Sequence, residues 1–154
     1  MTLSDVLSAL PDKPVKESLG ERCASYLRDH GVAPDLIAMF DECAYGGPIR
    51  IGRLWLSPLA DLELENSEEE NRPCIEHGFL IVGSGLNGDP VAVELGTGLM
   101  AFLSHDLLWE REYEDFEECV VRTPFGLDDF WVQAAGNADF PADSYDARVF
   151  WSGA

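Results

Sequence analysis

The sequence has few basic residues. Only 10 of its 154 residues are lysine or arginine, against 29 aspartates and glutamates, and the formal net charge is −19. Nucleic acids and anionic membranes repel a chain of this charge, so we expect neither as a partner. An acidic surface instead attracts basic proteins, although it also serves solubility alone. The charge therefore predicts either a basic protein partner or a surface that is acidic only to stay in solution.

Cysteine and histidine are also scarce. The four cysteines (Cys23, Cys43, Cys74 and Cys119) are widely spaced and include no C-x-x-C pair, and the three histidines do not stand at ligand spacing. We therefore expect no zinc site and no other metal site built from cysteine and histidine ligands. Reduced, buried thiols in the cytosol are the simplest interpretation of the cysteines.

Long apolar runs are missing as well. No run approaches the ~20 residues that a membrane-spanning helix needs, and the N-terminus shows no basic segment followed by an apolar core. We expect an intracellular, cytoplasmic protein. The length fits one domain over residues 1–154, because no linker and no internal repeat divides the chain.

The acidity is concentrated after residue 50. Residues 1–50 hold eight acids and five bases (net −3), whereas residues 51–154 hold 21 acids and five bases (net −16). The densest runs are residues 61–70 and 110–118, and Trp109, if exposed, is a plausible interface anchor surrounded by acids. We predict partner binding through Asp61, Glu63, Glu65, Glu68, Glu69, Glu70, Trp109, Glu110, Glu112, Glu114, Asp115, Glu117 and Glu118.

Residues 79–103 are predicted to form three consecutive strands joined by two glycine-rich turns. The continuous apolar run over residues 79–82 is typical of a strand buried on both faces. Residues 91–95 alternate apolar and more polar positions, which predicts one buried face, and residues 96–98 fit a tight hairpin before a third strand. This meander predicts an α+β fold with a single, mainly antiparallel sheet packed by N-terminal helices and a C-terminal helix.

Three glycines in the first of these turns match a nucleotide-binding motif. Gly83, Gly85 and Gly88 fit the dinucleotide fingerprint G-x-G-x-x-G, and they follow a strand. The fingerprint needs a helix that opens at its last glycine, whereas Asp89 and Pro90 lead into another strand. We therefore interpret the glycines as a turn between strands.

The flanking segments are assigned from periodicity and from capping residues. In the N-terminal third we predict a short helix capped by Ser4, a helix with an apolar face over residues 15–27, and a helix from Pro34 to about Cys43. Before the meander we predict one strand over residues 49–56 with a bulge at Gly52-Arg53, a helical turn over residues 59–64, and a mobile polar loop over residues 65–73. After the meander we predict a helix capped by Thr123 and ended by Gly136-Asn137, and an edge strand over residues 148–151.

No combination of residues predicts catalysis. Ser104, His105 and Asp106 are neighbours whose side chains point in different directions, so they cannot form a relay with one another, and we expect His105 to bond to backbone at a strand end. A thiol nucleophile, Cys43 or Cys119 with His77, stays open because such pairs assemble in space, but nothing local lowers a thiol pKa. With 29 acids, some pair will lie at the separation of glycosidase carboxylates by chance, so such a pair does not indicate an enzyme. Neither Asn87-Gly88-Asp89 nor residues 139–146 supply the alternating oxygen ligands of a calcium-binding loop.

The order of features resembles a known family. The motifs are Tyr45-Gly46-Gly47 after the first helices, Leu56-Ser57-Pro58-Leu59, the strand over residues 79–83 with Asn87-Gly88-Asp89-Pro90 behind it, residues 98–106 ending in His105-Asp106, and Phe130-Trp131 in a late helix. On these motifs, which span most of the chain, the sequence is similar to the SUKH superfamily. That superfamily includes the fungal cell-wall-assembly regulators and many bacterial immunity proteins.

The resemblance implies an α+β fold with one mainly antiparallel sheet, and neither catalytic residues nor a cofactor. Many bacterial members are thought to neutralise a cognate toxin, often a nuclease, by binding it. We therefore expect a non-catalytic protein-interaction domain, an immunity protein that neutralises a basic toxin domain through an acidic face. The alternatives are a regulatory scaffold or small-ligand-binding module of the same fold, with a pocket beside the glycine turns, and an uncharacterised hydrolase.

Overall fold

The sheet is an antiparallel meander in which each strand pairs with the strand before it in the chain. The structure is a computed structural model that describes residues 1–152, and in that range it forms the predicted α+β fold with eight α-helices and one six-stranded sheet. The strands are β1 (Ile49–Ile51), β2 (Leu54–Leu56), β3 (Phe79–Ser84), β4 (Pro90–Glu94), β5 (Leu99–Leu103) and β6 (Val120–Gly126). The helices are α1 (Leu3–Ala9), α2 (Gly20–Asp29), α3 (Pro34–Glu42), α4 (Leu62–Ser67), α5 (Arg72–Glu76), α6 (His105–Trp109), α7 (Leu127–Gly136) and α8 (Ser144–Ser152).

The predicted central meander is confirmed as β3, β4 and β5. Leu80 lies opposite Val93, and Ala92 lies opposite Ala101; the register between β3 and β4 shifts once, between Ile81 and Gly83. The prediction that β4 has one more polar face was wrong: residues 90–93 are all buried. Both faces of the sheet are covered, and small Ala92 faces a second apolar cluster rather than solvent.

The two faces carry different cores. On one face, Val82, Val93 and Phe102 pack with Phe130 and Trp131 of α7 in the larger core. On the other face, a smaller cluster joins sheet residues to α5, to α6 and to the 3-10 turn Phe116–Cys119: Cys74, Phe79, Ile81, Ala92, Ala101, Leu103, Leu108, Phe116, Cys119 and Val120. Residues 110–118 contribute Phe116 to this second cluster, whereas Leu62 of the first acidic run belongs to the larger core.

Two of the three N-terminal helices begin at other residues than predicted. Thr2, not Ser4, caps α1: its hydroxyl accepts from the Asp5 backbone N–H, and the Asp5 carboxylate accepts from the Thr2 N–H, which forms a capping box. Helix α2 starts only at Gly20, because Val15 is exposed and Lys16 forms an isolated β-bridge with Tyr45. Helix α3 starts at Pro34 as predicted.

Residues 49–56 form a hairpin, so the predicted single strand with a bulge was wrong. Ile49 pairs with Leu56, and Ile51 pairs with Leu54, across a turn at Gly52 and Arg53. The change of parity in the sequence therefore marks a reversal of the chain. Gly52 adopts φ +62°, a conformation that favours glycine.

Residues 65–73 are not a loop throughout, contrary to the prediction. Helix α4 continues to Ser67, and α5 begins at Arg72. The fully buried Asn66 holds this segment against the sheet. Its side-chain amide donates to the carbonyl of Ile81 at 3.0 Å and accepts from the N–H of Ile81 at 2.8 Å. Since β2 pairs only with the far end of β3, Asn66 supplies the bonding that a neighbouring strand would give.

Two predictions for the C-terminal part of the chain were wrong. Thr123 does not cap a helix but lies in β6, where its hydroxyl donates to the carbonyl of Met100 at 2.9 Å; α7 starts at Leu127 and ends at Gly136. Residues 148–151 belong to α8 instead of an edge strand, because Trp151 packs edge-on against Phe125 and Phe140. All four cysteines are buried as predicted. Within residues 1–152 no helix has the length and apolar character needed to cross a bilayer.

Candidate functional site

The two acidic runs meet in the fold. The guanidinium of Arg111 donates to the carbonyl oxygen of Glu69 at 2.9 Å, which ties residues 110–118 to residues 61–70. A second contact lies nearby, where Phe116 stacks on His77 with ring centroids 4.2 Å apart. Segments that are distant in the sequence therefore form one surface, which we call the acidic surface (residues 61–70 and 110–118).

Five of the predicted partner-binding carboxylates already have partners within the fold. Glu63 pairs with Arg22 at 2.9 Å, and Glu117 pairs with Arg122. Asp115 and Glu118 form a capping box around the 3-10 turn. Glu65 accepts from the hydroxyl of Ser57. The sequence does not reveal these contacts, because some partners are distant along the chain and the others meet only in the folded geometry.

Seven carboxylates of the acidic surface are exposed and have no hydrogen-bond or ion-pair partner among residues 1–152: Asp61, Glu68, Glu69, Glu70, Glu110, Glu112 and Glu114. Trp109, directly before the second run, is 42 % exposed. The part of the surface that is free to bind a partner therefore comes from both runs.

Glu65 is the one predicted residue that points into the protein. Its Oε2 accepts from Ser57 at 3.2 Å, whereas its Oε1 and the Oδ1 of buried Asn71 have no hydrogen-bond partner in the described chain. Burial, together with the charges of Glu68 and Asp61, raises the pKa of Glu65 to about 7. A substantial fraction of this carboxyl is therefore protonated at neutral pH.

Replacing Glu65 with glutamine should remove part of the pH dependence of stability. An unfolded glutamate titrates near pH ~4.3, so folding of the native chain raises this pKa, and stability is lost as the pH rises from ~4.5 through ~7. We expect the free energy of unfolding of the native chain to fall by about 1–3 kcal/mol more than that of Glu65→Gln over this range. Urea denaturation at pH 5 and pH 8 measures the difference. Glu69→Gln, at an exposed site, is the control and should keep the native slope; equal slopes for native chain and Glu65→Gln would contradict the prediction.

A second cluster is organised by buried Asp89, which follows the Gly88 turn. Its side chain is 0 % exposed, and it accepts from the N–H of His105 at 3.0 Å, from Nδ1 of His105 at 2.5 Å and from the N–H of Ser144 at 2.8 Å. Burial alone raises the pKa of this carboxyl, but the hydrogen bonds from His105 and Ser144 outweigh burial and hold the pKa below its usual range. A single carboxylate therefore joins the β3–β4 turn, α6 and α8.

His105 continues this cluster to the surface. The prediction that it bonds to backbone was wrong, since its ring nitrogens face two carboxylates: Nδ1 faces Asp89 and Nε2 lies 3.2 Å from Asp106. The hydroxyl of Tyr145 donates to Asp106 at 2.5 Å, and this bond raises the pKa of Tyr145. The rings of His105 and Trp109 lie 4.8 Å apart. The cluster therefore ends beside the acidic surface, at Trp109.

The thiol nucleophile and the nucleotide-binding motif raised by the sequence, and a metal site, can each be compared with the geometry of residues 1–152. Burial raises the pKa of Cys43 and of Cys119 to about 11, which favours the unreactive thiol, and Nδ1 of His77 lies 2.7 Å from the carbonyl oxygen of Pro73. Gly85 packs against the chain itself, because a Cβ there would collide with the carbonyl oxygen of Ala142. In the described chain no three side chains of histidine, cysteine, aspartate or glutamate converge as a metal site.

A shallow groove of about 380 Å³ lies between the β1–β2 turn and the end of α7. Arg53 is the charged residue of its lining, and its guanidinium donates to the carbonyl of Phe140 at 2.6 Å. The groove therefore offers little polar chemistry for a small ligand.

Comparisons with protein-family models, with curated proteins and with solved structures find no match to the chain.

Proposed function

We propose that the chain is a non-catalytic protein-interaction domain, an immunity protein that binds and neutralises a basic toxin domain through the acidic surface. The observation that carries the proposal is the contact of Arg111 with Glu69, which joins two acidic runs into one surface. The motif resemblance to the SUKH superfamily supports the same function.

The electrostatics of this surface favour association with a basic protein. The seven free carboxylates are exposed, so the folded chain bears no desolvation cost for them before binding. Fields of one sign raise association rates by roughly 10-fold to 1,000-fold at low salt and lose this effect as salt is added. A nuclease active site is basic because it binds phosphates, and an acidic surface that covers it blocks the substrate.

Reversing charges on the acidic surface should slow association with the partner. The variant Glu69→Lys, Glu70→Lys, Glu112→Lys changes exposed residues of both runs, and we expect its association rate constant at low salt to fall by about 10-fold to 100-fold, with a weaker salt dependence. Capture from a lysate of the source cell, washed at low and high salt and identified by mass spectrometry, supplies the partner. Surface plasmon resonance then measures the rates.

A matched control changes the net charge equally at other exposed acids: Asp12→Lys, Asp129→Lys, Asp139→Lys. We expect this control to keep most of the native association rate, because the removed charges lie outside the acidic surface. Equal slowing by both variants would show a general effect of net charge and contradict the acidic-surface proposal. Capture of no basic protein at any salt would contradict the immunity function.

A further inference from the structure

Two large aromatic side chains, Trp109 and Tyr145, are exposed beside the acidic surface. Trp109 ends α6 and is 42 % exposed, and Tyr145 in the first turn of α8 is 56 % exposed. Tryptophan and tyrosine are enriched among the residues that contribute most to binding energy at protein interfaces. Their exposure on two neighbouring helices therefore indicates an anchor point for a partner.

The two helices are fixed relative to each other at their first residues. The N–H groups of His105 and of Ser144, which begin α6 and α8, both donate to the buried carboxylate of Asp89. Asp106 adds a second link, since one oxygen faces His105 and the other accepts from Tyr145. The aromatic side chains therefore stand on ordered elements, which reduces the entropy lost on binding.

Asp106 keeps capacity for a further donor. An ionised carboxylate offers about four acceptor positions, and His105 and Tyr145 occupy two of them. The side chain of Asp106 is 58 % exposed. The charges of Asp106, Asp89 and Asp143 all act on Tyr145, whereas nearby Arg111 is bonded to Glu69. The site therefore combines aromatic surface with a half-exposed carboxylate that has room for a further donor.

We propose that Asp106, Trp109 and Tyr145 form an arginine slot, which takes an arginine side chain of the basic partner. The inference rests on the proposed function and names the chemistry of its anchor. A guanidinium stacks on an indole while two of its N–H groups reach a carboxylate, whereas a lysine ammonium lacks this planar fork. The slot therefore distinguishes arginine from lysine, which the exposed carboxylates of the acidic surface do not do.

The probes are a short glycine-serine peptide that carries several arginines and the same peptide with lysines in their place. Their titration into the nitrogen-labelled chain is followed through the indole resonances of the four tryptophans. We expect the arginine peptide to shift the Trp109 resonance selectively and to bind about threefold to tenfold more tightly than the lysine peptide. Equal affinities, or shifts centred on another tryptophan, would overturn the proposal.

The variants Trp109→Ala and Asp106→Asn test the slot without touching the buried core. Both should abolish the preference for arginine, whereas the triple lysine variant of the acidic surface should weaken both peptides alike and keep the preference. A preference that survives in Trp109→Ala would overturn the slot. If the captured partner depends on the acidic surface and not on Trp109, the slot fails and the proposed function stands; if arginine preference is present and no basic partner exists, the reverse holds.

Discussion

Replacing Asp89 with alanine is expected to lower the free energy of unfolding by about 2–5 kcal/mol, because each buried donor left without its acceptor costs about 1–3 kcal/mol. The N–H groups of His105 and Ser144 and the Nδ1 of His105 would lose their acceptor in a site where Asp89 itself is 0 % exposed. Urea denaturation followed by circular dichroism measures the loss. The contribution is present above the ordinary aspartate pKa of ~3.9 and disappears as the pH falls through the lower folded-state pKa.

Asp106→Ala is the matched control, since Asp106 contacts the same imidazole from the solvent side. Its side chain is 58 % exposed, and exposed ion pairs contribute about 0–1 kcal/mol. A large loss for Asp89→Ala with a small loss for Asp106→Ala would identify the buried carboxylate as the organiser of this end of the fold. Similar losses for both variants would contradict that assignment.

Replacing Gly52 with alanine is expected to destabilise the protein by about 2–4 kcal/mol, from backbone strain and overpacking together. Gly52 has φ +62°, and a Cβ there would overlap the carbonyl oxygen of Ala134 in α7. The added Cβ would meet a backbone carbonyl rather than the end of a flexible side chain, so the contact cannot be relieved by a rotamer change. A lowered midpoint in thermal and urea denaturation is the expected result.

Gly98→Ala separates the two causes. Gly98 has φ +75°, close to that of Gly52, but nothing lies within 4 Å of the Cβ that a substitution would add. We expect it to cost about 1 kcal/mol, which is the contribution of strain alone. If Gly52→Ala costs no more than Gly98→Ala, the close packing of the β1–β2 turn against α7 is not a source of stability.

The sequence was sufficient for the centre of the sheet because the signals there are local. Apolar runs over residues 79–82 and 99–103 stand beside turns whose glycines can adopt the positive φ that a reversal needs, and the structure has β3 and β5 at these places with β4 between them. Gly98 adopts φ +75°, as a tight hairpin requires. Pattern and conformation agree wherever the determining contacts are between neighbours in sequence.

The sequence misled where distant partners decide the conformation. Strand β6 contains Pro124 and looked like a helix start, but β5 pairs with it and Thr123 bonds to Met100. Helix α8 contains the strand-like residues 148–151, yet its aromatic side chain Trp151 packs on rings from β6 and from the segment after α7. No periodicity in a short segment reveals such contacts.

In the candidate site, too, features set by neighbours in sequence were predictable and features set by distant contacts were not. Clustering of charge located both acidic runs, but it could not tell that Glu65 is buried or that Glu117 is held by Arg122. The cluster around Asp89 was missed, because Asp89, His105 and Ser144 are separated by 16 and 39 positions and meet only when two helices pack at one turn. The Asn87-Gly88-Asp89 turn was the available signal, and its aspartate was interpreted only as part of a turn.

The strand order has a consequence for how the chain folds. Because β1 to β6 pair strictly in sequence, every strand already has its partner in the part of the chain synthesised before it, apart from β1, which waits only for β2. Helix α1 differs, since the N–H of Leu3 is bonded by Asp128 of α7, 125 positions later. We expect the sheet to assemble from short loop closures, hairpin by hairpin, and the docking of α1 to be a late event in folding.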